Sequence, residues 1–289
     1  MKITLKREKV YCGNLVLINA QYPIKCMDNG NLTTVDSYFP NVLLRSEAAS
    51  ALQKILSKIM AGKEIVPVSG YRSMKEQIAI YQNSLRDNGE AFTNQFVALP
   101  GHSEHQTGLA IDLGQNQKKI DFIRPNFPYE GICGDFRKVT PDFGFVERYP
   151  KEKETITGIA HEPWHFRYVG YPHSRIMIEH SLTLEEYVNF IKSYREDDRL
   201  LYSQEQNTAI EVYYVPALKS ETTIIIPEQS AYQISGNNVD GFIITIRRKC
   251  YSNLNHTSAA HTTPPVTGVL PLCTRLRRVR RNNPPWRSL

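Results

Sequence analysis

The sequence predicts an α+β protein in which amphipathic helices are interspersed with short strands. Three observations support this fold class. Two S/T-x-x-E capping boxes, at 73–76 and 183–186, are typical of helix starts. Short apolar runs, such as the one over 64–69 that ends at a glycine, are typical of strands. Runs rich in β-branched residues within 205–249 predict a small β-rich segment near the end of the chain.

Helices and strands are predicted in turn along the first 200 residues. Strands are predicted over 14–19, 64–69, 109–113 and 165–169, and helices over 47–60, 73–86, 135–139 and 183–194. The helix over 47–60 is indicated because its apolar residues recur at helical spacing. The segment 96–108 is rich in Gly, His, Ser and Thr, and is therefore predicted to be a loop.

The composition changes twice beyond the charged stretch 195–199. Predicted strands follow at 210–215, 222–226 and 241–246, with turn-forming residues at 236–238. From residue 250 onward Ser, Thr, Pro and His dominate, and a basic run follows without any hydrophobic periodicity. We therefore expect three parts, which are a main domain over 1–200, a small β-rich segment over 205–249, and a tail over 250–289. The tail is expected to be disordered, and its composition is compatible with non-native sequence.

The net charge of +6 comes from the end of the chain. From Arg247 onward there are nine Lys or Arg residues and no Asp or Glu, so residues 1–246 hold 26 basic and 29 acidic residues, a net charge of −3. The basic character is thus a property of the tail. The folded part is not expected to bind nucleic acid.

The sequence also limits where the protein works. No apolar run approaches the roughly 20 residues that a membrane-spanning helix needs. The first ten residues are charged and the apolar run 15–18 is short, so no signal peptide is predicted. Five scattered cysteines without C-x-x-C spacing indicate neither a disulfide framework nor a zinc knuckle. A soluble protein of the reducing cytoplasm is expected.

Two histidine-rich clusters contain the candidate metal-binding and catalytic residues. The first, at 101–112, contains His102, His105 and Asp112, and the second, at 161–165, reads His-Glu-Pro-Trp-His. Histidine, carboxylate and histidine from separate segments are a typical ligand set for a catalytic zinc that keeps one position open. The two clusters together therefore indicate a metal site.

The second cluster also matches the H-E-x-x-H pattern. That interpretation would place His161 and His165 on one face of a helix, with Glu162 as the base. It is the weaker one, because Pro163 would lie inside the helix. An extended segment with a bulge or irregular turn at Pro163 is favoured, since strict alternation in a strand would send Glu162 and His165 to opposite faces. His161 then need not be a ligand, and the other ligands come from the first cluster.

These residues occur in ordered motifs. S-x-H-x-x-G-x-A-x-D over 103–112 followed by E-x-W-H over 162–165 resembles the VanY-type zinc D,D-peptidases, which include VanX, VanY and bifunctional VanXY enzymes. The segment S-G-Y-R-S at 69–73 is similar to the arginine segment of that family, and the resemblance covers roughly residues 10–195. Within the family, the chain is most similar to the cytosolic VanXY type of the VanG-type resistance cluster. The resemblance implies a hedgehog/D,D-peptidase-like fold, which is a small central antiparallel sheet with flanking helices.

The resemblance also implies a metal and two catalytic groups. It implies one Zn²⁺ ion held by His105, Asp112 and His165. Glu162 matches the catalytic acid/base of the family, and Arg72 matches the arginine that polarises the scissile carbonyl. These roles agree with zinc chemistry, since an oxyanion that forms beside the metal needs a fixed positive charge.

Other positions are carried over for substrate contact. Ser103 and Gln77 match positions where the family holds substrate, and Trp164 is expected to shape the pocket. His102 and His161 are expected to be structural or supporting residues rather than ligands. The β-rich segment and the tail lie outside the family pattern.

The activity implied by the resemblance is that of a zinc metallopeptidase of the cell wall. It would hydrolyse the D-Ala-D-Ala dipeptide and remove the terminal D-Ala from peptidoglycan precursors, which confers glycopeptide (vancomycin) resistance. Two alternatives remain, which are a related murein endopeptidase or L,D-peptidase, and a non-catalytic hedgehog-like zinc-binding module. The binding module would be expected to lack the glutamate or the arginine, whereas Glu162 and Arg72 are both present.

Overall fold

The helices and strands of the computed structural model are described for residues 1–26, 30–204 and 208–249. In chain order they are β1 (Lys2–Lys6), β2 (Leu32–Thr34), β3 (Leu43–Arg45), α1 (Ser46–Lys58), β4 (Ile65–Ser69), α2 (Met74–Asn88), α3 (Glu90–Phe96), β5 (Ala110–Gln115), α4 (Gly131–Val139), β6 (Phe145–Tyr149), α5 (Glu154–Thr157), β7 (Glu162–Tyr168), α6 (His173–Glu179), α7 (Leu184–Ile191), β8 (Leu200–Gln204), β9 (Thr208–Pro216), β10 (Glu221–Ile225), β11 (Ala231–Gly236) and β12 (Gly241–Lys249). The tail predicted over 250–289 lies outside the described residues.

A four-stranded antiparallel sheet in the order β4-β5-β7-β6 forms the centre of the fold. Its apolar face packs against α1 and α4 in a core that includes Leu52, Ile111, Phe136 and Phe166. Burial of such side chains contributes roughly 1.5–3 kcal/mol each. The predicted α+β class, with a small antiparallel sheet and flanking helices, is confirmed.

Both predicted capping boxes are present. The Ser73 hydroxyl accepts the backbone N–H of Glu76, whose carboxylate accepts the backbone N–H of Ser73, and α2 follows. Thr183 and Glu186 form the same reciprocal pair before α7. Local sequence encodes these helix starts because both partners lie within one turn.

The strand predicted over 14–19 is wrong. This buried segment is irregular, and its backbone bonds to a turn near the end of the described chain instead of to a neighbouring strand. The Leu17 N–H donates to the Asn237 carbonyl at 3.1 Å, and the side-chain amide of Asn238 donates to the Leu17 carbonyl at 2.9 Å. An apolar run shows that a segment is buried, but does not show what satisfies its backbone.

The β-rich segment predicted over 205–249 supplies three strands of a second antiparallel sheet, in the order β11-β12-β9-β8, and the fourth strand, β8, lies just before that segment. Strands β8, β9 and β12 share one hydrophobic cluster with α6, α7 and the segment 15–17. The first strand of the chain, β1, pairs with β10 from the same part of the sequence. His173 of α6 contacts both α7 and the second sheet. Its ring nitrogens lie 2.6 Å from the hydroxyl of Tyr187 on α7 and 2.9 Å from the hydroxyl of Thr245 on β12.

None of the helices within residues 1–26, 30–204 and 208–249 is long and apolar enough to cross a bilayer.

Candidate metal centre and catalytic pocket

Two neighbouring strands and one tight turn bring the three predicted ligands together. Asp112 lies on β5 directly opposite His165 on β7 in the antiparallel register. His105 lies in the short 3-10 turn Glu104–Thr107 that precedes β5. Candidate ligand atoms of the three buried side chains all lie within 4.8 Å of one another.

The hydrogen bonds around each histidine indicate which nitrogen faces the centre of the site. His105 Nδ1 lies 2.7 Å from the Gly70 carbonyl oxygen, which can only accept, so Nδ1 carries the proton and Nε2 is left for a ligand. His105 Nε2 lies 3.1 Å from Asp112 Oδ2. His165 presents Nδ1, at 2.9 Å from Asp112 Oδ1. Two imidazole nitrogens and a carboxylate, all buried and convergent, fit a tetrahedral zinc site with an open position.

The predicted irregularity at Pro163 is confirmed. In the pairing of β6 with β7, Glu147 lies opposite Phe166 and Tyr149 opposite Glu162, so three residues of β7 face the single residue Arg148. This bulge breaks the strict alternation of the strand. Glu162 and His165 consequently both line one pocket, with Glu162 Oε2 3.7 Å from His165 Nδ1.

Glu162 is a buried carboxyl, exposed to only 5%. Burial, together with the nearby carboxylates of Asp112 and Glu104, raises the pKa of Glu162 to about 8, against the opposing effect of His165 and Arg72. A cation held by the three ligands would lower this pKa again, because positive charge favours the carboxylate. Such a group is suited to accept and return a proton near neutral pH.

Arg72 reaches the pocket from the loop after β4. Its Nε donates to the Ser69 hydroxyl at 2.9 Å, and its Nη2 donates to Asp112 Oδ2 at 2.9 Å. Because two bonds hold the guanidinium, its positive charge is fixed at the wall of the pocket beside the metal ligands. A fixed cation at this place can stabilise an oxyanion.

Of the three residues predicted to contact substrate, two line the pocket and one does not. Ser103 and Trp164 line the pocket with Arg72, Glu162 and the three candidate ligands. Gln77 does not line it. It is fully buried behind the pocket wall, where its side-chain amide donates to the Ala98 carbonyl at 2.8 Å.

The other two histidines of the two clusters lie outside the ligand set. His102 Nδ1 lies 2.8 Å from the Asn19 carbonyl oxygen. His161 is stacked against Tyr129, with its Nε2 2.7 Å from the Tyr129 hydroxyl. No ligand group that includes His161 occurs among the described residues.

Sequence reasoning missed a buried charge cluster beneath the site. Glu104 lies 2.8 Å from both Arg148 Nε and Arg167 Nη1, and all three side chains have no exposed surface. Tyr149, which also lines the pocket, packs its ring 4.9 Å from the ring of His165. A faint signal was the position of Glu104 directly before a candidate ligand. The two arginines gave none, since arginine is usually exposed.

Comparison with known proteins adds independent findings. The family described as VanY, D-alanyl-D-alanine carboxypeptidase, matches residues 41–171. The chain is 42% identical over 181 residues to the bifunctional D-Ala-D-Ala dipeptidase and D-Ala-D-Ala carboxypeptidase VanXYC of Enterococcus gallinarum, a match that covers 62% of this chain and 95% of that protein.

Solved structures agree with this result. The vancomycin resistance D,D-dipeptidase VanXYg, in complex with a D-Ala-D-Ala phosphinate analogue, is 59% identical with a TM-score of 0.85, covering 86% of this chain and 99% of that one. A point mutant of the vancomycin resistance D,D-pentapeptidase VanY from a VanB-type resistance cassette, in complex with Zn(II), is 28% identical with a TM-score of 0.50, covering 61% of this chain and 99% of that one.

Proposed function

Because the chain belongs to the VanY family of D,D-peptidases, we propose that it is a zinc-dependent enzyme that hydrolyses the D-Ala-D-Ala dipeptide and removes the terminal D-Ala from peptidoglycan precursors. Loss of these termini confers resistance to glycopeptides such as vancomycin. The observation that carries the proposal is the convergence of a buried His-Asp-His set, one further carboxyl group and one fixed guanidinium on a single pocket.

His105, Asp112 and His165 are the proposed zinc ligands. Zinc would supply Lewis-acid polarisation of the scissile carbonyl and would lower the pKa of a water molecule to around 7. The protein contributes the geometry, since the bond from His105 to Gly70 and the strand pairing of Asp112 with His165 hold the donors in place.

Glu162 is the proposed acid/base. Its carboxylate accepts a proton from the attacking water and then delivers it to the amino group that leaves as the peptide bond breaks. The Glu162 side chain lies inside the pocket and has no arginine or lysine within ion-pair distance among the described residues. It is therefore free to exchange the proton.

Arg72 is the proposed partner of the oxygen that becomes negative when the carbonyl is attacked. Its bonds to Ser69 and Asp112 keep the charge in position before the reaction begins, so little reorganisation is needed. Ser103 and Trp164 are the proposed substrate contacts on the pocket wall. We propose that Gln77 acts indirectly, by holding the Ala98 carbonyl in the wall behind the substrate.

The proposed catalytic residues all lie within residues 1–200. Pocket-lining residues among the described ones do not include any from the β-rich segment, whose proposed contribution is packing. We also propose a cytoplasmic location, for which the scattered and odd number of cysteines is the support. Cell fractionation with an antibody to the protein would test it.

Substrate specificity tests the function. We expect the purified full chain to release D-Ala from D-Ala-D-Ala and from a muramyl pentapeptide that ends in D-Ala-D-Ala. Chelation should abolish the release and added Zn²⁺ should restore it, whereas L-Ala-D-Ala should be a poor substrate. Preferential cleavage of L,D-peptides would favour the L,D-peptidase alternative. Binding of zinc without any cleavage would favour the binding module.

Metal content tests the ligand set separately. We expect a His165→Ala variant to lose most of its zinc, because one of three donors is removed. His161→Ala is the matched control, since this histidine belongs to the same motif but bonds to Tyr129 outside the ligand set. Loss of zinc from His161→Ala as well would contradict the assignment, because it would indicate that His161 is also a ligand.

A further inference from the structure

Two buried polar atoms next to the candidate metal centre have no hydrogen-bond partner in the described part of the chain. They are Glu104 Oε2 and His165 Nε2, which lie 3.5 Å apart. Glu104 is 2% exposed and His165 is 4% exposed, so water does not replace the missing partner readily. Buried polar groups in folded proteins are normally paired, and the two atoms are within a few tenths of an ångström of a normal bond.

The orientation of His165 determines which of its nitrogens carries the proton when a metal is bound. Nδ1 points to Asp112 and to the centre of the candidate site. A metal takes the lone pair of the nitrogen that it binds, so the proton of a neutral ring must then be on the other nitrogen, Nε2. Glu104 Oε2, 3.5 Å from Nε2, is an acceptor close to that proton.

Glu104 is arranged to present an acceptor at that place. Both arginine contacts, from Arg148 and from Arg167, are made to the same oxygen, Oε1, at 2.8 Å each. The second oxygen is thereby left for His165. Although burial alone would raise the pKa of Glu104, the two guanidinium groups hold that pKa well below its usual range.

The two arginines are themselves fixed from distant parts of the chain. Arg148 donates to both carboxylate oxygens of Glu185 at 2.9 and 2.7 Å. Arg167 donates to the carbonyl oxygens of Asn14 and Val16, each at 3.0 Å. These carbonyls belong to the irregular segment that is bonded to the turn after β11. Glu104 is thus held by a rigid shell and not by a mobile surface ion pair.

We propose that Glu104 is a positioning residue for the metal site. Its carboxylate accepts a hydrogen bond from the Nε2–H of His165, so that Nδ1 of that ring is left to bind the metal. This inference rests on the proposed function, since it takes His165 to be a ligand. Carboxylates that hold a ligating histidine in this way fix its tautomer and orientation, and typically change metal affinity by about 10–100-fold.

Glu104→Gln separates this role from simple packing, because the two side chains have nearly the same shape. The glutamine amide will turn its oxygen to the two arginines, since its NH₂ group would be repelled by them. The NH₂ group then faces His165 Nε2 as a donor and favours the tautomer with the proton on Nδ1, so Nδ1, the nitrogen at the candidate site, has no lone pair for a metal.

The first test is Zn²⁺ affinity, measured by competition with a chromophoric chelator on the purified full chain. We expect Glu104→Gln to bind Zn²⁺ about 10–100-fold more weakly than the wild type. Glu185→Gln is the matched control, because it changes a carboxylate that is bonded to Arg148 but does not lie beside His165, and it should remain within about threefold of the wild type. Equal affinities of Glu104→Gln and wild type, or equal losses in both variants, would overturn the proposal.

The second test needs no variant, so it tests the proposed bond between Glu104 and His165 even if Glu104→Gln does not fold. In the zinc-loaded wild type, long-range ¹H–¹⁵N NMR spectra of the histidine side chains report which nitrogen of His165 carries the proton. We expect Nε2–H, shielded from exchange by burial. A proton on Nδ1 would overturn the proposal. A wild-type chain that binds no Zn²⁺ would instead refute the proposed function, so the two failures are distinguishable.

Discussion

Glu162→Gln is the most informative perturbation of the proposed reaction. Glutamine keeps the size and the hydrogen-bonding capacity of the side chain, but it cannot accept a proton from water. Zinc content should be unchanged, because the three proposed ligands are other residues. Ground-state affinity should change little, since a general base acts mainly in the transition state.

The size of the loss can be estimated from the carboxylates that line the pocket. General acid–base catalysis contributes roughly 10²–10⁴-fold. Neither of the other two acidic residues in the wall can replace Glu162, because Asp112 is paired with Arg72 and Glu104 with two buried arginines. We therefore expect a fall in kcat of about 10³–10⁴-fold, which corresponds to roughly 4–5.5 kcal/mol of transition-state stabilisation.

The assay is kcat and KM for release of D-Ala from D-Ala-D-Ala, with zinc quantified in the same preparations. Glu147→Gln is the matched control, since it changes a carboxylate on the neighbouring strand β6 that does not line the pocket. A zinc-loaded Glu162→Gln enzyme that keeps more than about a tenth of wild-type kcat would refute the reasoning. Its loss of kcat would be less than about tenfold, whereas even the weakest effect expected of a base is about 10²-fold.

Two further predictions concern stability. Burial, with the nearby Arg247, lowers the pKa of His173 to about 3. The unfolded state binds this proton below about pH 6.5, whereas the folded state does not, so the free energy of unfolding should fall as the pH is lowered. At pH 5 we expect the wild type to have lost about 2 kcal/mol more than His173→Gln, as measured by urea titration. The exposed control His180→Gln should show the same pH dependence as the wild type. In Gly236→Ala the new Cβ would overlap the Val10 carbonyl, so we expect the free energy of unfolding to be about 1–3 kcal/mol lower than in the wild type. An unchanged melting temperature would contradict this packing.

Short-range patterns were enough to predict several elements. The capping boxes at Ser73 and Thr183 were predicted because both partners are three residues apart, and the strand with a bulge at Pro163 was predicted because proline is excluded from a helix interior. The two histidine clusters indicated a metal site by their residue types, and the resemblance of their ordered motifs to a known family supplied the individual ligands.

Other features depend on pairs that are far apart in the chain. The segment 14–19 resembled a strand, yet it is bonded to residues more than 200 positions away, and β1 pairs with β10. Gln77 matched a substrate-binding position, but the structure turns its amide toward Ala98, behind the pocket wall. Sequence patterns cannot show these partners, because tertiary packing selects them.

The sequence by itself determined the kind of chemistry in this protein, since a His-Asp-His set with a nearby glutamate and arginine can be recognised from residue types in order. Only the tertiary structure decided which nitrogen of each histidine faces the metal position and which acid lies behind His165. The physical reason is that a tautomer depends on the partner of the opposite ring nitrogen. For His165 the proposed partner is Glu104, which two arginines from separate strands hold in place.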